Sequence, residues 1–136
     1  MSTNFIKPIL QRKNLKKMLI GLNFKNTKIL LEVKNCNFFE RFKGLMFTRI
    51  KKAKPLLFDF RKETKIPLHS FFVFFNFLVF WLDKNNNVID YKICRPFQVN
   101  ISTKRKFRKI VEIPLNKDYR GILKVLSNTY DEHEKV

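Results

Sequence analysis

The stretch that decides the fold is Phe71-Phe72-Val73-Phe74-Phe75-Asn76-Phe77-Leu78-Val79-Phe80-Trp81-Leu82, which lies inside the uncharged run 66–82. Its side chains are mostly aromatic or β-branched, and these residue types favour extended chain in a sheet. As a helix the whole run would reach about 25 Å, short of the roughly 30 Å of a bilayer core. We therefore predict two buried strands, Ser70 to Phe75 and Phe77 to Leu82, and no membrane span.

Turn and strand patterns continue on both sides of this run. Residues 83–87 are rich in turn formers, and the apolar positions in 88–95 predict the second strand of a hairpin. Further strands are predicted at 27–33, 55–60 and 109–113, with a last strand or helix at 121–126. Prolines occur at intervals too short for helical crossovers, so the sheet should be largely antiparallel. The predicted fold class is mainly β: a single compact domain that is sandwich-like, jelly-roll-like or barrel-like, with one or two short helices.

Composition divides the chain into three parts. Residues 1–26 are basic and weakly patterned, and we interpret them as an N-terminal extension. Residues 27–126 hold the predicted mainly β domain, and residues 127–136 form a polar tail. A length of 136 residues suits one domain with its own core.

A short helix is predicted in front of Gly44. Asn37 stands three residues before Glu40, as in a capping box, and this spacing predicts a helix at 38–43. Gly44 follows directly, and we expect it to end the helix in the left-handed conformation.

Glycine, cysteine and histidine usage excludes several kinds of site. The three glycines lie far apart, so the chain has no glycine-rich phosphate loop. Cys36 and Cys94 have no metal-ligand spacing, and we interpret them as reduced thiols of a cytoplasmic protein. His69 and His133 stand apart from both cysteines. We expect no metal, no cofactor and no catalytic residue of a recognisable type.

Three stretches resemble one uncharacterised family. Glu40-Arg41-Phe42-Lys43-Gly44-Leu45-Met46-Phe47 is similar to its signature E-R-x-x-G-L-M-F, residues 56–60 to an apolar strand, and residues 69–83 to its central motif in archaeal form. The chain thus resembles the domain of unknown function 192 family, also called uncharacterised protein family 0127. The resemblance implies a compact, mainly β domain without an established activity. Asn76 and Leu78 stand where the family usually has Pro and Asp. If this Asp serves a site in other members, the site is changed or lost here; if it is structural, its polar partners must have changed with it.

The turn around Gly44 is the least ordinary surface that the sequence offers. Arginines on both sides of it could fork onto a carboxylate or phosphate group of a ligand. The candidate ligand-binding residues are Arg41, Gly44, Met46, Arg49 and His69. Three of them also have a structural interpretation: Arg41 could pair with a nearby carboxylate, Met46 could fill the core, and His69 could be packed at a strand start.

A net charge of +18 is the strongest compositional signal. Clustered cations neutralise phosphates, and Phe107 within the last cluster could stack on a base. The candidate polyanion contacts are Lys51, Lys52, Lys54, Lys104, Arg105, Lys106, Arg108 and Lys109. The alternative is that lysine keeps an apolar β protein soluble and protects its strand edges. Glu112, on an alternating strand, is predicted to point outward.

Two functions are consistent with these patterns. We hypothesise a non-enzymatic module that binds an unknown small ligand or protein partner at the Gly44 turn. The alternative is a nucleic-acid-binding protein that acts, with weak polyanion affinity, through its Lys and Arg clusters. An enzyme has less support, because no acid and base pair is recognisable.

Overall fold

The computed structural model describes residues 17–37 and 44–127 of the chain. Within these ranges the protein forms one six-stranded sheet that curls into a half-barrel, followed by a short helix. The strands are β1 Lys17–Phe24, β2 Thr27–Asn35, β3 Leu56–Thr64, β4 Phe77–Leu82, β5 Val88–Cys94 and β6 Phe107–Pro114. The helix, α1, spans residues 122–127.

The strands are hydrogen-bonded in the order β1-β2-β3-β6-β4-β5. Neighbouring strands are antiparallel except for β2 and β3, which run parallel. The predicted mainly β fold is therefore confirmed. The predicted hairpin is confirmed as β4 and β5, whose register runs from Phe77 opposite Cys94 to Leu82 opposite Val88.

Strand β4 is buried on both faces, and its alternate side chains enter two separate cores. We call these the loop-side core, which contains Phe77, Val79 and Trp81, and the helix-side core, which contains Leu78, Phe80 and Leu82. Strands β1 and β2 and helix α1 contribute to the helix-side core, while loops cover the other. A strand covered in this way has no solvent face, which explains its unbroken apolar sequence.

Strand β1 curls the sheet towards the turn between β4 and β5. The backbone N–H of Asn23 donates to the Asn86 carbonyl at 2.9 Å, and its Nδ2 donates to Oδ1 of Asn87 at 3.0 Å. Residues 17–24 are thus part of the sheet and residues 25–26 form the turn to β2, so this part of the predicted N-terminal extension belongs to the folded domain. Gly21 and Asn23 do not interrupt the strand, because they alternate with its buried side chains.

Residues 70–76 form a loop, and the strand predicted at Ser70 to Phe75 was wrong. Val73 and Phe75 point into the loop-side core as a strand would place them. The backbone of the loop, however, bonds to residues 97 and 98 and to Phe47 and joins no strand ladder. Composition does not distinguish this segment from β4, since both are rich in Phe and Val.

No helix within the described ranges is long and apolar enough to cross a membrane. The second half of the uncharged run is strand β4, as predicted. Cys36 and Cys94 do not form a disulfide bond with each other.

Asp83 organises the turn between β4 and β5, and its loss should be measurable. Its Oδ1 accepts the backbone N–H groups of Asn85 at 2.8 Å and Asn87 at 2.9 Å, and its Oδ2 accepts Nδ2 of Asn87 at 2.9 Å. Asp83→Ala is expected to lower the free energy of unfolding by about 1–2 kcal/mol, because these donors lose their acceptor. Urea denaturation measures the change. Lys84→Ala at the next, exposed position should cost less than about 0.5 kcal/mol; equal losses would contradict the role of Asp83.

Candidate functional site

The Gly44 turn, residues 44–47, lies over the loop-side core. Gly44 has a φ of +50°, so its predicted left-handed conformation is confirmed. The predicted helix at 38–43, together with Arg41, lies outside the described residues. Leu45 is buried and Met46 packs against the loop-side core, which anchors the turn.

A buried carboxyl group lies against the turn. Glu112 on β6 is only 7% exposed, and a Cβ built on Gly44 would lie 3.3 Å from its Oε2. A side chain at position 44 would therefore crowd the carboxyl group as well as strain the backbone. The prediction that Glu112 points outward was wrong, because both faces of β6 are covered at this point.

Burial gives this inner part of the site unusual acidities. It raises the pKa of Glu112 to about 7. Burial, with the Glu112 charge as a second cause, raises the pKa of the Cys94 thiol to about 11, so this thiol stays protonated at neutral pH. A carboxyl group with a pKa near 7 is suited to proton transfer. The Gly44 turn, however, covers it from solvent.

Phe47 joins the Gly44 turn to the loop in front of β4. Its backbone N–H donates to the Phe72 carbonyl at 2.9 Å, and the two rings stack with centroids 5.0 Å apart. Both residues have a left-handed backbone, with φ of 58° and 60°. Bulky residues rarely adopt this conformation, which costs about 1–3 kcal/mol at each position. The surrounding contacts therefore hold both rings in place against the local backbone preference.

Ser70 fixes the shape of the same loop. It is completely buried, and its Oγ donates to the Arg95 carbonyl at 2.8 Å and accepts the Gln98 N–H at 2.6 Å. Its carbonyl accepts the N–H of Phe97 at 2.9 Å. Phe97 is also left-handed, and its ring meets that of Phe74 edge-on at 5.5 Å. Ser70 thus ties a third left-handed phenylalanine to this surface.

Five phenylalanines on these connected segments point at least partly into solvent, with exposed fractions from 42% to 64%. We call this surface the aromatic patch, which consists of Phe47, Phe71, Phe72, Phe74 and Phe97. Clustered exposed apolar side chains on a folded chain commonly mark a binding surface. The hydrogen bonds beneath the patch fix the backbone that carries these rings, so the patch is a defined part of the fold.

The segments that carry the aromatic patch contain cations and no carboxylate. Residues 44–54, 65–76 and 95–98 hold neither Asp nor Glu. Such a surface has a positive potential and attracts anionic partners. Its exposed cations are Arg49, Lys51, Lys52, Lys54, Lys65 and Arg95.

The structure brings together the two segments that carry the predicted ligand-binding residues. Gly44, Met46 and Arg49 lie on or just after the turn, and His69 opens the facing loop. His69 accepts the N–H of Phe71 on Nδ1 at 3.3 Å. Sequence reasoning missed the phenylalanines that connect the two segments. A signal was available, because in extended chain alternate side chains point to opposite sides, so only every second ring of such a run can be buried in one core.

The predicted polyanion contacts fall into two separate regions. Lys51, Lys52 and Lys54 are exposed beside the aromatic patch, whereas Lys104, Arg105 and Lys106 are exposed near the start of β6. Arg108 and Lys109 are half-buried and already bonded: Nε of Arg108 donates to Oδ1 of Asp59 at 3.2 Å, and Nζ of Lys109 donates to Oδ1 of Asn86 at 2.8 Å. Phe107 is 1% exposed, so the expectation that it stacks on a base was wrong.

The protein is a small, mainly β module in which the Gly44 turn lies across one face of a curled sheet. Residues 21–120 match the model of the family DUF192, described as uncharacterized ACR, and the chain belongs to this family. The resemblance inferred from the sequence motifs is thereby confirmed. A UPF0127 protein of Pyrococcus furiosus is 35% identical over 106 residues, which cover 76% of this chain and 84% of that protein.

Two solved structures share the fold. A protein of unknown function from Novosphingobium aromaticivorans superimposes with a TM-score of 0.62 over 72% of this chain and 73% of its own, at 12% identity. A protein of Sinorhizobium meliloti, named as a candidate transcription regulator, gives a TM-score of 0.61 over 72% of this chain and 79% of its own, also at 12% identity. At this identity the similarity shows the architecture alone.

Proposed function

We propose that this protein is a non-enzymatic binding module and that its aromatic patch, with the cations beside it, binds single-stranded nucleic acid. The observation that carries the proposal is the combination of five exposed phenylalanines with segments free of carboxylates. The proposal joins the two sequence hypotheses, because the Gly44 turn supplies the place and the basic residues supply the attraction.

Proteins bind single-stranded nucleic acids with two elements, exposed aromatic rings and nearby cations. Bases stack on aromatic faces, each stack contributing about 1–3 kcal/mol, and cations follow the phosphates. Phe71, Phe72 and Phe74 present rings within four consecutive residues. Lys51 and Lys52 lie on the segment that carries Phe47. The left-handed backbone at three of the five patch residues holds rings outward before a partner arrives, which lowers the ordering cost of binding.

Charge favours a nucleic acid over an apolar protein surface as the partner. The whole chain carries a formal net charge of +18, and the described cations beside the patch face no acidic residue on the same segments. A cytoplasmic location agrees with Cys36 and Cys94 not being joined in a disulfide bond.

Replacement of two patch residues tests the proposal. Phe72→Ser with Phe74→Ser should weaken binding of a fluorescent oligothymidylate roughly tenfold or more, since two stacking faces are lost. The measurement is fluorescence anisotropy at about 150 mM salt. The variant should remain folded, because the two rings are 47% and 59% exposed and lie outside both cores.

A matched control removes the same kind of surface elsewhere. Leu19→Ser with Leu30→Ser deletes side chains that are 68% and 65% exposed on β1 and β2, and should leave oligonucleotide binding unchanged. Equal weakening in both double variants, or no binding by the natural chain, would rule out the patch as a nucleic-acid site. Pelleting with anionic vesicles in place of oligonucleotide binding would identify a membrane surface as the partner and reject the proposal.

A further inference from the structure

A cavity lies at the far end of β4 from the aromatic patch. This cavity, of about 370 Å³, is bordered by the turn after β4 and by the first residues of β6. The patch loop precedes β4, whereas the cavity turn follows it, so the strand separates the two sites. Its size falls within the range of pockets that hold small organic ligands.

Cations dominate the wall of this cavity. Lys84, Arg105, Lys106 and Arg108 contribute four positive groups, against the two carboxylates of Glu63 and Asp83. The Asp83 carboxylate already accepts three hydrogen bonds from Asn85 and Asn87 within its turn. With Asp59, which pairs with Arg108, counted as a third carboxylate, the four cations still leave a net charge of +1, and an anion entering the cavity gains from it.

One of these groups, Arg108, is held in position before any ligand binds. Its Nε donates to Oδ1 of Asp59 at 3.2 Å, which orients the guanidinium group. Arg105 is exposed, and its Nη1 lies 3.5 Å from the carbonyl oxygen of Ile89. Lys109 lies outside the cavity and ties the start of β6 to the turn through Asn86. Arginines suit oxyanions, since their donors match two oxygens at once.

The lining is not wholly polar, which argues for more than a bare ion. Ile89, which is half-buried, provides the apolar surface of the lining, while Phe107 lies below it and packs against Phe60 and Trp81. An apolar side chain beside cations suits a ligand with a carbon skeleton as well as a phosphate group.

We infer that this cavity binds a small phosphorylated ligand of nucleotide size, with Arg105 and Lys106 as its principal anion contacts. The site is independent of the aromatic patch, and either could exist without the other. The phosphate group could belong to a free nucleotide or to the end of a nucleic-acid strand. The experiment below distinguishes these two ligands.

Isothermal titration calorimetry of the full chain with ADP tests the inference. The natural protein should bind one ADP, and Arg105→Ala with Lys106→Ala should weaken that binding at least tenfold. Lys51→Ala with Lys52→Ala removes the same charge beside the aromatic patch and should change ADP affinity less than twofold. Unchanged Trp81 fluorescence confirms that each variant is folded.

The outcomes distinguish a specific phosphate-binding site from nonspecific electrostatic attraction. Equal weakening by the two double variants, or no binding of ADP and of a phosphorylated strand end, overturns the inference. Binding of an oligonucleotide only when it carries a terminal phosphate, lost in the Arg105 and Lys106 variant, supports the cavity and identifies the strand end as the source. Phe72→Ser with Phe74→Ser should leave ADP binding intact, so the patch proposal can fail while this one holds.

Discussion

Replacing Glu112 with Gln is expected to raise the free energy of unfolding by about 3 kcal/mol above pH 7. Burial raises the pKa of this carboxyl group from its ordinary value of 4.5 to about 7. Each pKa unit corresponds to about 1.4 kcal/mol, so the ionised carboxylate lowers the free energy of unfolding by about 3 kcal/mol. Glutamine keeps the shape and removes the charge.

The pH dependence has a definite sign. Below pH 4.5 the carboxyl group is protonated in both folded and unfolded chains, and its charge costs nothing. Between pH 4.5 and about 7 the unfolded chain ionises first, so stability falls as the pH rises. Above pH 7 Glu112 is ionised in both states, so the full loss of stability is present and the contribution of this group no longer changes with pH.

Urea denaturation across this pH range, followed by the fluorescence of the single and buried Trp81, measures the effect. The natural chain should lose stability between pH 4.5 and 8 relative to Glu112→Gln. Glu63→Gln, at an exposed carboxylate, should follow the natural chain. Parallel curves for Glu112→Gln and the natural protein would show that the carboxyl group has a compensating partner.

Leu78→Asp is expected to cost about 4 kcal/mol or more and to unfold much of the population at room temperature. Leu78 is 0% exposed in the helix-side core, and its cross-strand neighbours on β5 and β6 are Ile93 and Ile113. The family resemblance of the central motif implies an Asp at this position, so the change tests whether any polar partner for it survives here.

Leu78→Met provides the control, because it keeps volume and polarity and should cost less than about 1.5 kcal/mol. Urea midpoints compare the two variants. An aspartate variant within about 1 kcal/mol of the natural chain would show that the polar surroundings persist. The expected large loss would show that this chain has repacked the position as apolar core.

Local signals in the sequence were sufficient for much of the fold. The apolar run ending at Leu82 and the asparagine-rich turn that follows defined the β4–β5 hairpin, because strand and turn preferences agree there. Ser70 to Phe75 has the same composition as β4 but becomes a loop, since the bonds of buried Ser70 come from residues 95–98. No local pattern contains that distant contact.

The site was less accessible to sequence reasoning than the fold. The E-R-x-x-G-L-M-F motif indicated the Gly44 turn, and the left-handed glycine was deduced correctly. Glu112 was misjudged because alternation assumes one solvent face, yet its apolar neighbours Val111 and Ile113 were the available sign that both faces are covered. Which phenylalanines are exposed depends on tertiary packing and could not be read from spacing.

An NMR titration of isotope-labelled protein with oligothymidylate at about 150 mM salt tests the central claim most directly. We expect amide resonances of Phe47, Phe72, Phe74 and Phe97 to shift with a common saturable affinity, while those of β1 and β2 stay in place. Shifts confined to residues 105–108, or no saturable shift at the aromatic patch, would contradict its assignment as the binding surface.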